Sequence, residues 1–264
     1  MAVLREFSDR PQLSVVVPAY NEERTLGIVI EKLLLLPLRI EIVVVDDAST
    51  DSTPEIARRL SNLHSQVHLL RLEKNRGKSQ AVIAGIQATR GEVVVIQDAD
   101  CEYDSDEIPE LVQPILDGVA DAVYGSRFLV RKAARVLYYY HYLANQWITF
   151  LSNLLTNVNL SDVETGYKAF RGEIVRAMIL TSTGFGFELE VTAKLAKLGC
   201  AMYEVPISYY GRTYDEGKKI GPGDAFAAVW YIIRYNLFCT LKQSYRIIPS
   251  LSRTPRSTAA AVRT

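Results

Sequence analysis

Three times in the first hundred residues, a short run of aliphatic and β-branched side chains stops abruptly at acids. Leu13 to Tyr20 runs into Asn21-Glu22-Glu23, Glu41 to Val45 into Asp46-Asp47, and Val93 to Ile96 into Gln97-Asp98-Ala99-Asp100-Cys101-Glu102. Apolar runs of this length bounded by polar residues read as buried strands. Helix signals fill the gaps. A helical segment covers about residues 25–36, Thr53-Pro54 is an N-cap hydroxyl followed by proline at the first turn, and Asn75-Arg76-Gly77-Lys78 opens a helix through about Ala88. A further strand is expected at 67–72, a helix at 107–116, a strand at 121–125, a helix near 188–198 and a strand at 201–209. Such alternation implies an α/β fold with a mostly parallel, doubly wound sheet and helices on both faces. Parallel strands end on a common edge, and that edge is where open α/β sheets bind ligands.

The third run delivers the most chemistry. Residues two apart in an extended chain face the same way, so Asp98, Asp100 and Glu102 crowd together and raise one another's pKa. A divalent cation relieves that repulsion, and hard oxygen donors suit Mg²⁺ or Mn²⁺. The bland alternative is a solvated acidic loop. At the first strand's end, Pro18, Tyr20 and Glu22 supply an aromatic face and a carboxylate suited to a nucleobase, or simple packing. Asp46-Asp47 suits ribose hydroxyls or base N–H groups; for Asp46 an Asx-turn or capping role is preferred. Arg76, Gly77 and Lys78 place two cations at a helix N-terminus, a diphosphate contact in outline.

Lys+Arg and Asp+Glu are both 30 in 264 residues, which argues against a nucleic-acid binder working by bulk charge. Cys101, Cys200 and Cys239 are odd in number and lack ligand spacing, pointing to a reducing, cytoplasmic setting without structural zinc. No signal peptide is expected at the N-terminus, and no run of 18 apolar residues spans a bilayer. After Arg127 the character changes. Residues 122–161 and 225–264 contain no acid, where an even spread would put roughly four or five in each forty. The first segment carries Arg131, Lys132 and Arg135 with Tyr138, Tyr139, Tyr140, Tyr142, Trp147 and Phe150; the second carries Arg234, Lys242 and Arg246 with Phe226, Trp230, Tyr231, Tyr235 and Phe238. C-terminal amphipathic helices of this kind can lie in a lipid headgroup plane, peripheral on the cytoplasmic face of a membrane. The alternatives are helices covering the sheet, a homo-oligomer interface, or a membrane partner subunit. Residues 1–243 are read as one domain, with a donor-binding part at 13–128 and an acceptor- or membrane-facing part at 129–243. Residues 244–264 are read as a disordered basic tail.

Taken together, Val15-Val16-Val17-Pro18-Ala19-Tyr20-Asn21-Glu22, Val45-Asp46-Asp47-Ala48-Ser49-Thr50-Asp51, Asn75-Arg76-Gly77-Lys78, Asp98-Ala99-Asp100-Cys101-Glu102 and Gly125-Ser126-Arg127 resemble the family 2 glycosyltransferases of GT-A fold. The pattern is most similar to their polyprenyl-phosphate branch, the dolichyl-phosphate mannose synthase-like enzymes, over about residues 13–240. The resemblance implies a nucleotide-sugar donor, a polyprenyl-phosphate acceptor, a divalent metal and inverting transfer. It implies that Pro18, Tyr20, Glu22 and Asp47 hold the nucleoside with Asp98 and Ala99 beside it, that Asp100 and Glu102 bind metal, and that Arg127 meets phosphate. It further implies a basic loop closing on the donor, matched here by Arg212, Lys218 and Lys219, with Lys168 of Glu164-Thr165-Gly166-Tyr167-Lys168 contacting phosphate. The runner-up is a family 2 enzyme acting on a soluble or cell-envelope glycan, with Glu188 or Glu190 as a base, although a structural role is preferred for both. An inactive nucleotide-sugar-binding module is the alternative from another class.

Overall fold

A computed structural model describes residues 10–129, 138–184, 186–211 and 222–251. The strands are β1 (Leu13–Ala19), β2 (Ile40–Asp46), β3 (Val67–Arg71), β4 (Val93–Ile96), β5 (Ala122–Ser126), β6 (Lys168–Arg171) and β7 (Met202–Pro206). The helices are α1 (Leu26–Leu34), α2 (Thr53–Leu63), α3 (Lys78–Ala88), α4 (Ile108–Leu116), α5 (Tyr139–Thr156), α6 (Gly172–Ala177), α7 (Phe187–Leu198), α8 (Pro222–Leu237) and α9 (Leu241–Ser244). The strands form one sheet in the order β3-β2-β1-β4-β6-β5-β7. All neighbours pair in parallel except β6, which runs antiparallel to both β4 and β5.

Side-chain alternation along β1 and β4 divides the core into two layers. Leu13, Val15 and Val17 with Val93 and Val95 pack under α1, α2 and α4. Val16, Val94 and Ile96 pack under α3, α6, α7 and the inner faces of α5 and α8. These strands are buried on both sides, which explains their unbroken apolar runs. α3 lies so close to the sheet that a β-carbon on Gly85 would come within 2.3 Å of Val16 Cγ1.

α5 and α8 pack on one another and are amphipathic, as expected from the acid-free segments. Ile148, Thr149 and Ser152 of α5 and Ala228, Ile232 and Tyr235 of α8 are buried, while Tyr140, Trp147, Phe150, Phe226 and Trp230 stand exposed. Among the described residues no helix is long and apolar enough to cross a membrane. The tail expectation needs correcting at its start. Tyr245 is buried, bridges to Met178 and donates its hydroxyl to the Lys194 carbonyl at 2.9 Å. The ring fills the space beside α6 and α7, a tertiary role that local composition does not reveal. Residues 252–264 lie outside the described residues, as do Arg131, Lys132, Arg135, Arg212, Lys218 and Lys219.

Candidate active site

β1 sits between β2 and β4, with Ala19 aligned with Asp46 and Val16 with Ile96. The loops after these three strands therefore lie side by side. Each contains a non-glycine residue with left-handed backbone: Asn21 (φ 56), Ala48 (φ 58) and Cys101 (φ 61). That conformation costs roughly 1–2 kcal/mol for an L-residue, and three such costs on one edge mark loops shaped for something other than stability.

Asp98, Asp100 and Glu102 occupy the loop after β4, and all three are half-buried. Lys78, at the start of α3, places its Nζ 2.8 and 2.9 Å from the two oxygens of Asp98 and 3.9 Å from Glu188 Oε1. Burial alone would lower the lysine's pKa, but Asp98 and Glu188 hold it charged. Asp100 Oδ1 accepts the Glu102 N–H at 3.0 Å. Its pKa is pushed up to about 7, chiefly by burial, then by the negative charges of Asp98 and Glu102. Glu102 Oε2 accepts the Tyr209 hydroxyl at 2.8 Å, and the Glu102 carbonyl accepts the Tyr210 N–H at 2.9 Å. The chain after β7 is thereby fastened to the acidic loop.

Gly166 lies against this cluster. A β-carbon there would be 2.8 Å from Asp98 Oδ2 and 3.3 Å from Lys78 Nζ, and the Gly166 N–H is held by the Tyr103 hydroxyl at 3.0 Å. Tyr103 stacks on Tyr167 at 5.1 Å and tilts against Tyr209 at 5.3 Å. Behind them, Glu164 Oε1 and Glu188 Oε2 are buried without a hydrogen-bond partner among the described residues. Burial first, then Glu188, raises the Glu164 pKa to about 8. Among the described residues, the acids of this cluster outnumber its basic side chains.

Pro18, Tyr20, Glu22, Ala99 and Lys78 all fall on this edge, Tyr20 exposed and Ala99 buried at the edge of the core. Asp47 accepts the Arg76 and Gly77 N–H groups, both at 2.8 Å, and is buried; it shapes the loop before α3. Arg127 forms a two-pronged pair with Asp162 at 2.7 Å on each arm, so its charge is already met. Lys168 is wholly buried, its ammonium bonded to the carbonyls of Val163 and Thr165 and 4.5 Å from the Tyr124 ring centre. Burial lowers its pKa to about 8. Asp46 behaves as preferred, accepting the Ser49 N–H at 3.0 Å. Glu190 is structural, accepting the N–H groups of Thr181 and Ser182.

Sequence reasoning missed Tyr103, Tyr209 and Asp162. Asp162 is in turn steadied by Glu204, which accepts the N–H of Ser161 at 2.9 Å and of Asp162 at 3.3 Å. The one local signal was Asp162 ending a forty-residue acid-free stretch that contains Arg127.

The donor set fits a hard divalent cation bound through few protein ligands. Asp100 and Glu102 share one loop, and Asp100 carries a charge that its surroundings disfavour. No group of three or more His, Cys, Asp or Glu side chains arranged to hold a metal exists among the described residues. Mg²⁺ characteristically uses one or two carboxylates and fills its shell with water and substrate phosphate.

The family model described as Glycosyl transferase family 2 matches residues 14–178. An undecaprenyl-phosphate mannosyltransferase of Micrococcus luteus is 32% identical over 229 residues, covering 84% of this chain and 93% of that protein. A dolichol-phosphate mannosyltransferase of Pyrococcus furiosus is 32% identical over 214 residues, covering 80% of this chain; the chain spans 60% of that relative's length. Among solved structures, glucosyl-3-phosphoglycerate synthase from Mycobacterium tuberculosis in complex with Mg²⁺ and UDP shares the fold at a TM-score of 0.65 and 22% identity, covering 86% of this chain and 79% of that one.

Proposed function

The chain belongs to glycosyl transferase family 2, and from that premise we propose that it moves a hexose, with inversion, from a nucleotide sugar to a polyprenyl phosphate. The observation that carries this is Asp100, lodged between Asp98 and Glu102 on the edge where β1, β2 and β4 end. An excess of buried negative charge there suits a metal-bridged diphosphate. The two relatives described above, both mannosyltransferases of polyprenyl phosphates by name, support a donor of the GDP-mannose type ahead of the UDP-glucose type.

In this reading Pro18, Tyr20 and Glu22 line the nucleoside, with Asp98 and Ala99 beside it. Lys78, fixed by Asp98, faces the diphosphate. Asp100 and Glu102 would hold Mg²⁺ or Mn²⁺, which supplies charge neutralisation for the departing nucleoside diphosphate. The acceptor phosphate oxygen attacks the anomeric carbon from the opposite face. A phosphate monoester is already largely ionised near neutral pH, so the transfer needs no strong general base, unlike a hydroxyl acceptor. Arg127 acts within its Asp162 pair, as part of the wall. Arg212, Lys218 and Lys219 remain proposed donors to the diphosphate from outside the described residues.

Residues 13–128 are assigned to donor binding and 129–243 to the acceptor side. The exposed faces of α5 and α8, with Trp147, Phe150 and Trp230 each more than half exposed, are assigned to a cytoplasmic-face membrane surface, where aromatic rings and basic residues sit at headgroup level. Two assays test the proposal. Labelled GDP-mannose with a polyprenyl phosphate should give an acid-labile lipid-linked sugar; label passing only to a soluble glycan would move the assignment to the runner-up, for which the buried, unpartnered Glu188 oxygen is the candidate base. In flotation with anionic vesicles at low salt, wild-type protein should rise with the lipid. A Trp147→Ser/Phe150→Ser/Trp230→Ser variant should stay below. Wild type remaining soluble would point to a second copy or a partner subunit on those faces.

A further inference from the structure

Glu102 has three rotatable side-chain bonds to immobilise before its carboxylate can act as a fixed ligand, and glutamate is among the side chains that lose most freedom on ordering. An arginine or lysine could fix it but would also cancel its charge. Among the described residues Arg127 lies nearby, with its guanidinium 5.2 Å from the Tyr209 ring centre, and its Nε and Nη2 both donate to Asp162. The Tyr209 hydroxyl, a neutral donor, reaches Glu102 Oε2 at 2.8 Å.

We propose that Tyr209 is a positioning residue for the cation site, its hydroxyl setting the orientation of the Glu102 carboxylate while leaving the charge intact. This rests on the metal reading of Asp100 and Glu102 given above. The tyrosine is itself immobilised from several sides. Its ring leans on Tyr103 at 5.3 Å and lies beneath the Arg127 guanidinium, its backbone bridges to Tyr103, and the next residue's N–H is bonded to the Glu102 carbonyl at 2.9 Å. The phenol hydroxyl donates and the carboxylate oxygen accepts. Hydrogen bonds to metal-binding carboxylates of this kind typically contribute 10–100-fold to metal affinity.

Tyr209→Phe keeps the ring, its contact with Tyr103 and its place beneath Arg127, and removes one hydroxyl. The measurement is Mn²⁺ binding, with the metal alone as probe, followed by water-proton relaxation on the full chain. Mn²⁺ affinity should fall at least tenfold in Tyr209→Phe. It should stay within twofold of wild type in Tyr245→Phe, which loses a more deeply buried hydroxyl bond, to the Lys194 carbonyl. In a Glu102→Gln background, adding Tyr209→Phe should change affinity by less than twofold. Nucleotide-sugar hydrolysis should show the same split: the Mn²⁺ concentration for half-maximal rate rises at least tenfold, and the rate at saturating Mn²⁺ stays within about threefold. Equal Mn²⁺ affinity in wild type and Tyr209→Phe overturns the inference alone. Failure of the wild type to bind Mn²⁺ overturns the metal reading and this inference with it.

Discussion

The two edges of the sheet handle buried acids in opposite ways. On the amino edge Glu41 accepts Ser14 Oγ at 2.6 Å and the Arg90 N–H and Nε at 2.8 Å each. Burial alone would raise its pKa, but these bonds outweigh burial and hold it below the usual range. Asp121 on the same edge accepts Arg171 at 3.0 Å and the Ala201 N–H at 2.8 Å. On the carboxyl edge three acids share one loop, and Asp100 is raised to about 7. The same residue type stabilises one edge and burdens the other. A fold keeps charges in a disfavoured state where something it binds will relieve them, and the amino edge shows that this chain can satisfy buried carboxylates when stability is the only demand.

Substitutions on each edge should separate the two roles. The largest effect is expected from Asp100→Asn, which should lower transfer roughly a thousandfold and yet raise Tm by a few degrees in chelator at pH 8. The sign follows from linkage: a carboxyl whose folded pKa lies above its unfolded value is penalised as pH rises through the interval from about 4 to about 7. The Tm advantage of the variant should therefore shrink as pH falls below about 7 and close by about pH 4. Gly166→Ala comes next. Its new methyl would press on the Asp98–Lys78 pair from 2.8 Å, and displacement of a site by an ångström can cost about a hundredfold in rate; steady-state transfer should fall 10- to 100-fold with little change in Tm. Glu41→Ala should leave turnover within about twofold. By stranding Ser14 and Arg90 donors it should cost about 2–3 kcal/mol, on the order of 5–10 °C in Tm. Because the Glu41 pKa is lowered in the fold, that deficit should be full at neutral pH and shrink in acid, below its ordinary value of about 4.5. A Tm loss in Asp100→Asn matching that of Glu41→Ala would erase the contrast between the edges.

The sequence revealed the elements that are periodic and locally capped. The expected helix at 107–116 is a short 3₁₀ turn at 105–107 leading into α4, and the strand expected at 13–20 ends one residue earlier. β6 went unread. It is four residues long and includes Lys168 and Arg171, and a period of two is not readable at that length. In the site, the acids were legible because strand ends are local. The pairings were not: Arg127 finds Asp162 across 35 residues and Glu102 finds Tyr209 across 107. Such partners depend on β5, β6 and β7 lying side by side, and only the assembled sheet supplies that. The bonds of Asp47 to backbone N–H groups and of Lys168 to backbone carbonyls were illegible for the same reason, since polar residues at a strand end look alike in sequence whatever they face.

The most direct measurement is the affinity of GDP and UDP, each titrated calorimetrically with and without Mn²⁺ into wild type and Asp100→Asn. If the crowded acids of the carboxyl edge exist to seat a cation under a diphosphate, Mn²⁺ tightens one of the two nucleotides at least tenfold in wild type and has no such effect in the variant. Identical affinity with and without the metal in the wild-type protein would contradict the account.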